Sequence, residues 1–117
     1  MLNHCILQRY RDSKDHITEH SDKTLDIAAG SLIVNYSAGA SRAITFRAKE
    51  RRGVVMENDS VLALDLETNR YYVQSVKKDC MAEGPRTSLT FRHVATFYDS
   101  KDLKAYGQLH RRKARVV

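Results

Sequence analysis

Residues Arg86-Thr87-Ser88-Leu89-Thr90-Phe91-Arg92 alternate strictly in side-chain direction and in kind. Successive side chains of a β-strand point to opposite faces, so this spacing specifies a strand with two unlike sides. Leu89 and Phe91 share one side; Arg86, Ser88, Thr90 and Arg92 share the other. Two readings fit the polar side. It faces water, as one side of many antiparallel sheets does. Or it lines a polar cavity that holds an anion, because a guanidinium fork matches a carboxylate.

A strand with an apolar side needs partners, and the rest of the chain reads mostly as strand. Leu2 to Tyr10 is an apolar-rich segment, and Ser31 to Ser37 is a β-branched run. Ala38-Gly39-Ala40-Ser41 suits a tight turn, and Arg42 to Arg47 returns from it. Val54-Val55-Met56 and Val61 to Leu64 are short strands around a turn at Glu57-Asn58-Asp59. Arg70 to Val76 and Arg86 to Val94 complete the pattern, with helix expected only over 23–29 and 102–110. Many short, closely spaced strands predict a mainly β sandwich or barrel. The 117 residues suffice for one such domain. We read 1–100 as that domain and 101–117 as a basic C-terminal tail.

The formal net charge of +6 favours polyanionic partners, nucleic acid above all, with ordinary solubility charge as the alternative. The run from His110 to Arg115 fits phosphate contact or nuclear import, and equally a solvated tail. No apolar run is long enough to span a membrane, and no apolar stretch follows Met1-Leu2-Asn3-His4 as in a signal peptide. Cys5 and Cys80 are too few for a disulfide scaffold. The expected setting is the reducing interior of a cell, nucleus or cytoplasm, with both thiols free.

His20-Ser21-Asp22 is the chain's His-x-Asp. On extended backbone the two side chains point the same way and can reach one metal ion, as two corners of the facial triad of non-haem iron oxygenases. Alone, such a pair is a common chance occurrence. His16, four residues along, would lie about 13 Å from His20 on a straight strand, so it could share that ion only if the chain turns between them. His93 follows Arg92 on the opposite side of its strand and reads as a packed or surface residue.

Context changes the weight of the pair. The stretch from Gln8 to Asp22 resembles the "N-R-Y-x-D-G-x-D-x-I-x-x-H-x-D" segment of AlkB-like, iron- and 2-oxoglutarate-dependent dioxygenases. Asn35 to Arg42 is similar to that family's "V-S-F-G-A-S-R" hairpin. Glu67 to Tyr72 resembles its strand before the distal metal ligand, and Gly84 to Arg92 its "P-R-x-S-L-T-F-R" signature. The four matches stand in the family's order. His20 to Ile27 looks nearest to a fungal branch with "H-S-D-K-T-L-D-I".

The resemblance implies a double-stranded β-helix, or jelly roll, with iron inside. It assigns His20 and Asp22 to Fe(II), and Arg86, helped by the Tyr10 hydroxyl, to the distal carboxylate of 2-oxoglutarate. Arg92 would stand near the iron-side carboxylate and Asp22. The implied reaction consumes O₂ and 2-oxoglutarate and removes N-alkyl groups from nucleic acid, or methyl groups from protein.

The chain departs from the family at three places. Gln74 stands where the distal histidine belongs, and an amide oxygen is a poor iron donor beside imidazole. Gln8 replaces an asparagine that helps to hold the cosubstrate. The family's outer strands and substrate-gripping loops, which precede the Tyr10 segment, are missing. The jelly roll is therefore expected to be incomplete on its N-terminal side, with one edge open. These departures leave an alternative reading, a catalytically inactive module that binds nucleic acid or protein, and beyond it a diverged copy with no function of its own.

Overall fold

The computed structural model describes residues 1–98, 101 and 105–107. The alternating segment is β8 (Arg86–Arg92), and it has a strand on each side. β1 (His4–Tyr10) pairs with it antiparallel, Tyr10 opposite Arg86 and His4 opposite Arg92. β3 (Leu32–Gly39) pairs with its other edge, Ser37 opposite Ser88 and Asn35 opposite Thr90. β6 (Ser60–Asp65) adds to β3, so this sheet runs β1-β8-β3-β6. The second sheet runs β2-β7-β4-β5, from β2 (Ile17–His20), β7 (Val73–Val76), β4 (Arg42–Arg47) and β5 (Arg51–Met56).

The chain changes sheets at nearly every connection, as a jelly roll requires. The two sheets meet through one core, where Tyr10 of the first packs with Ile44, Phe46, Met56 and Val76 of the second. The two four-stranded sheets hold eight strands, and the outer edges of β1, β6, β2 and β5 have no strand neighbour among the described residues.

Turn chemistry sets the crossings. Gly39 ends β3 with φ of 94°, and a Cβ there would overlap the Pro85 carbonyl oxygen. That oxygen accepts from the Ala40 N–H at 2.9 Å, and the Gly39 N–H donates to Asn58 Oδ1 at 2.8 Å. The β3–β4 turn, the β5–β6 turn and the start of β8 are thereby tied together. The turn expected at 57–59 is present, with Asp59 at φ of 61°.

Four expectations need correction. Leu66–Tyr71 is a short helix, α1, so the strand expected from Arg70 begins only at Val73. Asp65 caps α1 by accepting from the Thr68 N–H at 2.7 Å, and Glu67 sits favourably in the first turn. The segment 23–29 is not helical. Its backbone bonds run to a distant segment, Ala28 N–H to His93 C=O at 2.9 Å and Ala95 N–H to Asp26 C=O at 2.7 Å, around a bridge from Ile27 to Val94. Within the helix expected over 102–110, Ala105–Gly107 is strand β10, paired with β9 (Thr96–Tyr98); the rest of that segment lies outside the described residues, as does the run from His110 to Arg115. β5 also starts earlier than expected, at Arg51, because β4 offers Arg47 as its partner there.

Cys5 and Cys80 are free and exposed. Among the described residues no helix is long and apolar enough to cross a membrane.

Gly39→Ala is expected to cost about 2 kcal/mol or more, because positive φ and the carbonyl overlap act together. Urea unfolding of the variant beside the native chain measures it.

Candidate metal and cosubstrate site

Between the sheets lies a cavity of about 270 Å³. Arg86, Ser88, Thr90 and Arg92 all line it, so the polar side of β8 faces the cavity and not water. Arg86 and Arg92 stand six residues apart, about 20 Å along a strand, and reach the cavity from its two ends.

At one end Arg86 is 1 % exposed. Its Nε donates to Ser37 Oγ at 2.8 Å, and one Nη reaches Asn35 Oδ1 at 3.4 Å. No carboxylate pairs with it among the described residues. The Tyr10 ring supports it instead, its centroid 5.2 Å from the guanidinium carbon. Arg42 lies 5.5 Å from the centroid of the same ring. Burial pushes the Tyr10 hydroxyl pKa up, and the charges of Arg86 and Arg42 pull it only partly back. Burial likewise lowers the Arg86 pKa, with the Tyr10 hydroxyl opposing. Gln8 lines the cavity on the same side of β1 as Tyr10.

Arg42 received no role from the sequence, although it closes the hairpin motif. It is 2 % exposed and donates to three backbone carbonyls, those of Asp12, Asp15 and Lys77. It so fastens the turn after β1 to the end of β7. Asn35 was also quoted without a role, and its Nδ2 donates to Ser88 Oγ at 2.6 Å and Thr90 Oγ1 at 3.0 Å.

At the other end the structure brings His20, Asp22, Gln74 and Arg92 together. His20 and Gln74 are direct cross-strand partners in β2 and β7, beyond a register shift between Ile17 and His20. His20 Nδ1 lies 2.8 Å from the Thr18 carbonyl oxygen. A carbonyl only accepts, so Nδ1 carries the proton, which leaves the Nε2 lone pair free in the neutral ring. Nε2 lies 3.6 Å from Asp22 Oδ1.

Asp22 falls just past β2, and a side chain replaces the missing strand ladder. Asn69 of α1, 2 % exposed, accepts from the Asp22 N–H at 3.0 Å and donates to the Asp22 C=O at 2.9 Å. Ser21 Oγ adds a bond to the Tyr72 carbonyl at 2.8 Å. The Asp22 carboxylate is divided between two donors: Arg92 Nη2 reaches Oδ2 at 2.8 Å, and Gln74 Nε2 reaches Oδ1 at 3.4 Å. His16 instead makes a local contact to the Lys14 carbonyl, and neither it nor His93 lines the cavity.

The donor set fits a ferrous ion at two corners, His20 Nε2 and Asp22 Oδ1. The third does not fit as it stands. Gln74 turns its amide N–H to Asp22, and no group of three His, Cys, Asp or Glu side chains assembles among the described residues.

The sequence profile of the 2OG-Fe(II) oxygenase superfamily matches residues 1–92. Among curated proteins, DNA oxidative demethylase ALKBH2 of Bos taurus is 35% identical over 104 residues, covering 80% of this chain and 37% of that protein. The Homo sapiens ALKBH2 is also 35% identical over 104 residues, 80% of this chain and 40% of its own length. Alpha-ketoglutarate-dependent dioxygenase alkB homolog 3 of Mus musculus is 28% identical over 105 residues, 80% of this chain and 37% of that protein. The chain therefore spans well under half the length of these relatives. Among solved structures, the capsular polysaccharide assembling protein CapF of Staphylococcus aureus superposes with a TM-score of 0.50 at 7% identity, over 88% of this chain and 27% of that one, a likeness of fold alone. A profile match across most of the chain, four motifs in order and an eight-stranded jelly roll agree: this chain belongs to the 2OG-Fe(II) oxygenase superfamily, among its AlkB-like members.

Proposed function

We propose that this chain is the core of an AlkB-like dioxygenase that uses Fe(II), 2-oxoglutarate and O₂ to remove alkyl groups from nucleic acid. The observation that carries this reading is Arg86: a buried cation without a carboxylate partner among the described residues, facing a cavity whose far end holds His20 and Asp22. An uncompensated buried charge is costly, and a dicarboxylate entering the cavity relieves it.

On this reading Arg86 takes the distal carboxylate and Tyr10 adds its hydroxyl. Gln8 offers an amide alongside. Arg92 neutralises Asp22 and the near carboxylate. His20 and Asp22 hold the metal, and Gln74 stands at the third position with its amide N–H turned to Asp22. Iron supplies the oxidising chemistry when bound, coupled to decarboxylation of 2-oxoglutarate to succinate. The chain's own work is orientation. Thr18 fixes the His20 tautomer and Asn69 fixes the Asp22 backbone.

Nucleic acid as the substrate is supported by the relatives named demethylases and by the charge. Lys49, Arg51 and Arg52 are exposed at the β4–β5 hairpin, and Lys77 and Lys78 after β7. The place of action would be the nucleus or cytoplasm.

The test is incubation of the full chain with Fe(II), 2-oxoglutarate, O₂ and oligonucleotides carrying an N-methylated base. Succinate and the demethylated base are expected in equal amounts, and binding of the oligonucleotide should weaken steeply between about 50 and 200 mM salt. Oligonucleotide binding without succinate under any metal condition would leave the alternative, a binding module without catalysis.

Tyr10 gives a pH prediction. Its folded pKa is raised above the unfolded value of about 10. Its contribution to stability is therefore complete below that value and is lost as pH rises through the folded one. Tyr10→Phe should remove this loss, read as urea midpoints at about pH 8 and about pH 11.

A further inference from the structure

Every polar atom of Asp22 has a partner within the chain. Its backbone N–H and C=O belong to Asn69, Oδ2 to Arg92 and Oδ1 to Gln74. An ionised carboxylate only accepts hydrogen bonds, so the edge of the Gln74 amide turned to it must be the NH₂. Oδ1 is also the oxygen that faces His20 Nε2, the position where a metal shared by the two residues would sit. Gln74 thus competes, through a long contact of 3.4 Å, for the oxygen that a metal would share with His20. The chain alone then offers one free imidazole nitrogen and one contested carboxylate oxygen, too few strong donors for a divalent ion that prefers six.

A 2-oxo dicarboxylate anchored at Arg86 changes this count. It adds a carboxylate and a keto oxygen, and its near carboxylate gives the Arg92 guanidinium a second acceptor. Arg86 needs no metal for its part, being already buried and directed into the cavity. We propose that Gln74 is the amide partner of Asp22 and not a metal ligand, so that the metal centre is completed only after a 2-oxo dicarboxylate has bound at Arg86. This rests on the proposed function and reverses the order in which a site with three protein ligands would fill. Metal loading becomes a readout of dicarboxylate concentration, because coupling between the two sites is reciprocal.

The test uses Mn(II), a redox-silent probe, followed by electron paramagnetic resonance. The native chain, Gln74→Ala and Gln74→His are each titrated with and without 2-oxoglutarate, with circular dichroism to show that each variant is folded. For the native chain, 2-oxoglutarate should tighten Mn(II) binding by about 100-fold or more, while Gln74→His should bind Mn(II) alone at least about 10-fold tighter than the native chain. Gln74→Ala decides the role of the amide: affinity equal to or tighter than native is expected, since a competitor for Asp22 has been removed. A loss of about 10-fold or more in Gln74→Ala would make Gln74 a ligand and overturn the inference. So would a native chain that binds Mn(II) alone as tightly as Gln74→His, although the proposed function would then stand. If no variant takes up Mn(II) even with 2-oxoglutarate, the proposed function fails and this inference with it.

Discussion

The arrangement depends on one buried cation. Arg86 sits in a central strand, and its neighbours soften the cost of burial without cancelling the charge: a ring face from Tyr10, a hydroxyl from Ser37, an amide from Asn35. Arg42 on the same ring adds a second guanidinium in place of a counter-ion. Two positive groups around one tyrosine, with carbonyls as the acceptors for Arg42, keep the cavity electropositive at this end. The fold holds this state because β8 is paired on both edges and begins at the Gly39–Pro85 contact. The same strand is thus central in a sheet and lines the cavity.

The two sheets divide the work. The first supplies the polar cavity-lining side chains of β1, β3 and β8, and the second brings His20 and Gln74 face to face on β2 and β7. Arg92 crosses between them to reach Asp22, and α1 contributes Asn69 to hold Asp22 in place. The metal end is consequently the less autonomous of the two. Its geometry is fixed by hydrogen bonds within the chain, but one of its three positions carries an amide where an imidazole or carboxylate would bind iron firmly.

How much of this was legible follows the range of each interaction. The polar side of β8 was readable because strand periodicity is local, and its ordered motifs carried the family and the positions of His20, Asp22, Gln8, Tyr10, Arg86 and Arg92. The structure brings these residues to one cavity. Gln74 was visible only as a departure from a motif; its bond to Asp22 was not. The helix α1 was missed because Tyr71-Tyr72 reads as strand, while the Asp65 cap that decides the matter lies just upstream. The segment 23–29 was misread because the backbone bonds at Asp26 and Ala28 run to a segment more than sixty residues away. Arg42 and Asn69 were quoted within motifs but given no role, since their partners are carbonyls and a backbone that no side-chain pattern reveals.

The central claim is that Arg86 is an anion site that fills without metal. Calorimetric titration of 2-oxoglutarate into the chain in the presence of a chelator tests it most directly, beside Arg86→Met. The account predicts saturable one-site binding by the native chain, weakened roughly 10- to 150-fold in Arg86→Met, as befits loss of a charge-assisted bond of about 1.5–3 kcal/mol. Binding that appears only with metal, or that survives unchanged in Arg86→Met, would contradict it.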